Sequence, residues 1–201
     1  MISLKTNSKG EYVDATGLRQ TPSTIYTPGQ SDDFKISRSK LTDFRKCKKC
    51  FYLDRVRGLI SPSTPGWTLN ARTDELLKKE FDECREKQIP HRLMEEHGLT
   101  HIVPFKHQDM DRWRNSMHQG LRARFQSTNI ILHGGVDDVW WDTKTEQVIV
   151  VDYKSQANKN QVNPDTYLYS TYRQWYAEQM DFYAYLLQEM GFDVSGTSYF
   201  Y

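Results

Sequence analysis

The chain has 201 residues, 26% of them charged and 37% hydrophobic, with a formal net charge of +1, the profile of one ordinary soluble domain with room for an appended arm. No apolar run approaches the roughly 18 residues of a membrane helix, and the first residues have no signal-peptide apolar core, so a cytoplasmic protein without a membrane partner is expected. The near-zero net charge excludes a global basic field, and three scattered cysteines, Cys47, Cys50 and Cys84, argue against a disulfide framework.

Residues 1–33 are rich in Ser, Thr, Gly, Pro and Asn without an apolar period, which predicts an arm or loosely ordered lead-in to a domain over 34–201. SRSKLTDFRKCKKCFYLDRV then places Leu41, Phe44, Cys47 or Lys48, and Phe51 at helical spacing behind Ser37 or Ser39 as N-cap. Arg57-Gly58 and the Pro62 and Pro65 pair end that helix. Between Lys35 and Arg57, nine basic residues stand against Asp43 and Asp54, a local charge of +7. A second helix is predicted from about Ala71 to Lys87 on the stripe Leu76, Leu77, Phe81 and Cys84, and 90–107 reads as irregular. A third helix is expected from Asp109 to Phe125, with Trp113, Met117 and Leu121 in register. Asn129 to Trp141 and Gln147 to Lys154 read as strands joined by a DTKTE turn into a hairpin. A polar loop over 156–166 precedes a long aromatic-rich helix from Tyr167 to Met190, stopped by Gly191, and Gly196 to Tyr201 reads as a further strand. That order of helices, hairpin, helix and strand specifies an α/β fold with a mixed sheet. The strand-like ending, without cap, turn or tail, leaves open whether the natural chain continues past Tyr201 with further cysteines.

The chemistry lies in HGGVDDVWWDTKTEQVIVVDYKSQ, residues 133–156. Strand residues two apart face the same side, so Val148, Val150, Asp152 and Lys154 share one face, opposite Ile149, Val151 and Tyr153. A buried carboxylate and a buried ammonium must each be compensated. A structural ion pair, or a strand end emerging into solvent, accounts for Asp-x-Lys by itself. Asp137 changes the balance, because a hairpin can bring it and Asp152 to one edge. Two carboxylates there repel unless a cation bridges them, and hard oxygen ligands suit Mg²⁺ or Mn²⁺. A lysine beside that cation can stabilise a hydroxide nucleophile or a charged phosphorus transition state. Acid, acid and amine around a metal suit phosphodiester hydrolysis.

These segments resemble the PD-(D/E)XK nucleases, in particular the RecB-type and CRISPR-associated exonuclease branch. Gly134-Gly-Val-Asp137 resembles the branch's G-x-x-D, Val151-Asp-Tyr-Lys-Ser155 its D-Y-K strand, and Gln179-Met-Asp-Phe-Tyr183 its Q-x-x-x-Y helix signature, whose two side chains share a face. With the SRSKL early helix, the resemblance runs over roughly 37–201. It implies a restriction-endonuclease-like core, a mixed central β-sheet flanked by helices, acting as a divalent-metal-dependent DNA nuclease. Asp137 and Asp152 would bind the metal, with the Tyr153 carbonyl as a possible third ligand. Lys154 would orient or activate the attacking water, while Gln179 and Tyr183 position the substrate backbone or the lysine. Asp138 is the weaker alternative to Asp137, since adjacent strand residues face opposite ways.

The chain departs from that branch in two places. The histidine that the branch usually carries on the helix before the strand pair is missing from TLNARTDELLKKEFDECR; Asp74 stands in its place as a further metal ligand, with Glu80 as second choice. The alternative for Asp74 is a helix-start acid stabilised by the helix dipole. Iron–sulfur members use one early cysteine and three late ones, and nothing follows Cys84, so no such cluster is expected from this chain alone. Cys47 and Cys50 read as packing thiols, and the histidines offer no zinc-ligand spacing. In the basic segment, Lys40, Arg45, Lys48 and Lys49 would hold a phosphate backbone without reading bases. The expected function is therefore exonuclease-like and not base-specific, with DNA as partner and a place in a larger repair or defence complex. A noncatalytic DNA-binding module of such a complex, or an RNA-cleaving relative, is the competing reading.

Overall fold

Strand residues 147–152, QVIVVD, form the centre of the architecture, because an uninterrupted apolar run is what a strand covered on both faces requires. The computed structural model describes residues 9, 11, 17–60, 68–155 and 163–201. In chain order its elements are β1 (Phe34–Ser37), α1 (Arg38–Lys46), α2 (Lys48–Arg55), α3 (Thr68–Lys87), α4 (Arg92–Glu96), β2 (Ile102–Pro104), α5 (Met110–Arg114), β3 (Leu121–Arg124), β4 (Ile130–Gly134), β5 (Asp138–Asp142), β6 (Gln147–Asp152), α6 (Thr171–Glu189) and β7 (Tyr199–Phe200). They fall into two units, one within 1–67 and 125–131, the other within 68–124 and 132–201. Among the described residues, no helix is long and apolar enough to cross a membrane.

The second unit is built on a sheet of order β2-β5-β6-β7. β5 and β6 form the expected antiparallel hairpin, with Trp140 opposite Ile149 and Asp142 opposite Gln147. Asp142 shapes the turn, its Oδ1 accepting from Lys144 N–H at 2.8 Å and Thr145 N–H at 3.2 Å. β2 joins β5 antiparallel, and β7 joins β6 in parallel, so the sheet is mixed. Tyr201 N–H donates to Asp152 O at 3.1 Å, and Lys154 N–H to Tyr201 O at 3.0 Å, extending that parallel pairing past both ends of Tyr153.

One face packs Ile149, Val151 and Tyr153 with Trp140 against Phe81 of α3, together with Met94 and Ile102. α6 packs on β6 as well, and its Gln179 bonds Asp152 on the other face. Val148, Val150, Val151, Phe81, Leu186 and Leu187 are each fully buried, worth about 2 kcal/mol apiece in apolar area removed from water. These are the packed layers of a restriction-endonuclease-like α/β core.

In the first unit the expected single helix is two. Cys47 takes an extended backbone (φ −155°, ψ 94°) and caps α2, its Sγ accepting from Cys50 N–H. Cys47, half-buried, thus acts as a cap and not as a packing thiol, and the exposed Cys50 is not packed either. Of the anticipated arm, residues 9, 11 and 17–33 are described; Arg19 N–H donates to Gly58 O just past α2, Tyr26 N–H donates to Arg55 O, and Arg19 forms an ion pair with Asp54.

Other expectations need correction. The helix over Asp109 to Phe125 stops at Arg114, and Leu121 begins a strand instead. Asn115 leaves the helical region at ψ 83°, Gly120 takes a φ of +73°, and Met117, in helical register on paper, is 84% exposed. The irregular stretch 90–107 contains α4 and β2. The strand over Asn129 to Trp141 divides at residues 135–137 into β4 and β5. On α3, Leu76 points to solvent, and only Leu77 and Phe81 of the anticipated stripe join the aromatic core cluster. α6 starts at Thr171 behind the N-cap Ser170, a 3₁₀ turn over Pro164–Tyr169 preceding it. Pro62 and Pro65, and loop residues 156–162, lie outside the described residues.

Candidate active site

Asp137 enters the site from the break between β4 and β5. Gly135 makes that break possible: a Cβ there would lie 2.5 Å from Ser116 Cβ and 2.7 Å from Ser116 Cα. Val136 N–H then donates to Trp113 O at 3.2 Å. Because Asp138 pairs with Val151, one step back along the antiparallel register sets Asp137 against Asp152. Tyr153 N–H anchors it, donating to Asp137 Oδ2 at 3.0 Å.

The two carboxyl groups interact directly. Burial foremost, then the charge of Asp152, push Asp137 up to about 6, against the opposing pull of the Lys78 ammonium. Its side chain retains 28% exposure, whereas Asp152 has none. Asp152 is held from two directions: Gln179 Nε2 donates to Oδ1 at 2.7 Å, and Lys154 Nζ forms an ion pair with Oδ2. Period-two geometry thus puts Asp152 and Lys154 together, as the sequence anticipates. The Lys154 ammonium also lies 4.8 Å from the centre of the Tyr176 ring, a cation–π contact that fixes its direction. Tyr183, one turn past Gln179, is 4% exposed and packs edge-on to Phe182.

Asp74 joins the group through a residue absent from the sequence-based set. Lys78 Nζ donates to Asp74 Oδ2 at 2.7 Å and lies 4.0 Å from Asp137 Oδ1, linking α3 to the strand edge. The buried Asp74 Oδ1 meets no hydrogen-bond donor among the described residues. Glu80 is engaged elsewhere, accepting from Arg92 Nε at 3.4 Å and pairing with His91 Nε2 at 2.8 Å. Lys78 was legible only as the i+4 neighbour of Asp74, and Tyr176 as the residue three before Gln179.

Asp138 faces away from this cluster. It is fully buried, ion-paired with Arg85 and Arg114, and accepts from Tyr153 O–H at 2.7 Å. Burial first, then the Asp138 charge, hold the Tyr153 phenol far above its ordinary range. The Arg85–Arg114–Asp138–Tyr153 network braces the sheet beneath the site.

Two hard carboxylates at one end of the β5–β6 pair, and an Asp74 linked to Asp137 through Lys78 with one oxygen unsatisfied, fit a divalent cation of the Mg²⁺ or Mn²⁺ type. Among the described residues no three His, Cys, Asp or Glu side chains already converge on one point, so water would complete the coordination shell, as Mg²⁺ prefers. In the first unit, Arg45, Lys48 and Lys49 are exposed, with Lys48 Nζ 5.8 Å from the Phe44 ring centre. Lys40 instead turns inward to Asp43 and Asp54, each at 2.8 Å.

Comparison with curated proteins and with solved structures gives no match. The family model of the PD-(D/E)XK nuclease superfamily matches residues 35–201, which include every residue of the cluster around Asp137 and Asp152. The chain belongs to the PD-(D/E)XK nuclease superfamily.

Proposed function

We propose that this chain is a divalent-metal-dependent nuclease of the RecB-type branch, hydrolysing phosphodiester bonds of DNA in an exonuclease-like manner without reading bases. The observation that carries the reading is the meeting of Asp137 and Asp152 at one end of the β5–β6 pair with Lys154 beside Asp152. A Mg²⁺ or Mn²⁺ ion, when bound, supplies positive charge to the scissile phosphate and to the attacking water. Asp137 and Asp152 would hold it, with the Tyr153 carbonyl and Asp74 as further ligands. Lys154 orients the water and offsets charge that develops on the phosphate. Gln179 holds Asp152, and buried Tyr183 follows it one turn on along α6, so both are read as positioning residues. Arg45, Lys48 and Lys49 track the sugar–phosphate backbone, a contact that carries no sequence information, and a repair or defence complex is the setting.

The test is degradation of end-labelled single- and double-stranded DNA, with RNA in parallel, in Mg²⁺, Mn²⁺ or EDTA. Cleavage should require metal and fall roughly a hundredfold or more in Lys154→Ala, the scale of losing one transition-state charge contact. Well-folded wild-type protein that binds DNA but cuts nothing under either metal would instead make it a noncatalytic binding module.

A further inference from the structure

Lys78 has no place in the proposed chemistry, yet it lies between two of its acids. Its ammonium is 2.7 Å from Asp74 Oδ2 and 4.0 Å from Asp137 Oδ1. Lys154 is committed to Asp152 on the other side of the cluster. We propose that Lys78 is a resident counter-cation of the metal site: it holds Asp74 and Asp137 together in the metal-free protein and withdraws when a divalent cation takes Asp137. The inference rests on the metal-site reading above and adds a residue to it.

The charges require such a device. Asp74, Asp137 and Asp152 bring three negative charges, and Lys78 and Lys154 two positive ones, leaving the cluster one unit negative. Without Lys78, Asp74 and Asp137 would repel across a half-buried edge. With a dication added and Lys78 unmoved, the surplus becomes positive and the ammonium faces the metal at close range. Lysine suits the exchange, since its ammonium is a compact point charge on a flexible four-carbon stem. At 23% side-chain exposure, Lys78 has a path to water. Neighbouring Lys79 pairs with Glu75 and is 65% exposed, outside the cluster.

Calorimetric titration of the 201-residue chain with Mn²⁺, without nucleic acid, tests the role. Lys78→Met should bind Mn²⁺ about tenfold more tightly than wild type, as expected for removing one like charge at short range under partial screening. Lys78→Gln, which keeps a donor for Asp74 without the charge, should tighten similarly. Lys79→Met should match wild type, and Asp137→Asn should lose binding. In EDTA, Lys78→Met should melt below wild type and gain more from added Mn²⁺. An Asp137-dependent site whose affinity is unchanged or weaker in both folded Lys78 variants overturns the counter-cation role alone. Equal tightening in Lys79→Met overturns it too, by exposing a general field effect. Wild-type affinity in Asp137→Asn removes the metal-site reading and, with it, this role.

Discussion

Asp137 and Asp138 are consecutive carboxylates with opposite tasks, because adjacent residues entering a strand project to opposite faces. Asp138 neutralises Arg85 and Arg114 in the interior; Asp137 faces another acid. Their amides should therefore fail differently. Asp138→Asn leaves two buried guanidinium groups under-compensated and should cost roughly 3 kcal/mol of stability, read by denaturant unfolding. Asp137→Asn should abolish metal binding yet stabilise the metal-free fold at neutral pH. Asp137 is raised from 3.8 to about 6, so between those values the folded chain holds a proton that the unfolded chain has released. Its contribution is fully present below about pH 4 and is lost as pH rises through 6. Thermal unfolding in EDTA from pH 4 to 7 should show the wild type falling relative to Asp137→Asn across that window. A constant difference would refute the assignment.

At the scale of elements, the site depends on a bend. Gly135 lets Ser116 approach the chain between β4 and β5, and the bend aims Asp137 at Asp152. Gly135→Ala must displace Ser116 backbone as well as its side chain, and a loss of about 1–3 kcal/mol with weakened Mn²⁺ binding is expected, measured by chemical denaturation and calorimetry. The β5–β6 hairpin and the Asp152–Lys154 pairing were legible because period two and turn chemistry are local rules. Local rules also misled: Trp113, Met117 and Leu121 keep helical spacing, but Asn115 and Gly120 end the helix first. Lys78 and Tyr176 stayed hidden for a different reason. Their meaning comes from where α3 and α6 cross the strand edge, and spacing within one helix carries no such information. Cys47 reads as a packing thiol on composition, whereas its extended backbone makes it a cap, a backbone break that spacing does not disclose.

For the molecule as a whole, charge is unevenly spread: a net of +1 includes the +7 segment between Lys35 and Arg57. Lys40, which pairs with Asp43 and Asp54, contributes less to an external field than its count suggests. Exposed Lys48 and Lys49 should carry phosphate contacts, so the double alanine variant should flatten the dependence of log DNA affinity on log salt by about 1–2, measured by fluorescence anisotropy. An unchanged slope would place the nucleic-acid surface elsewhere. The pairing of residues 199–201 along β6 has a consequence for synthesis. Asp74 and Lys78 leave the ribosome early, Asp137 and Asp152 later, and the strand that zips along Asp152 later still. Until residues 199–201 have been made, Asp152 lacks the backbone that registers it, and the carboxylate cluster can be assembled only afterwards.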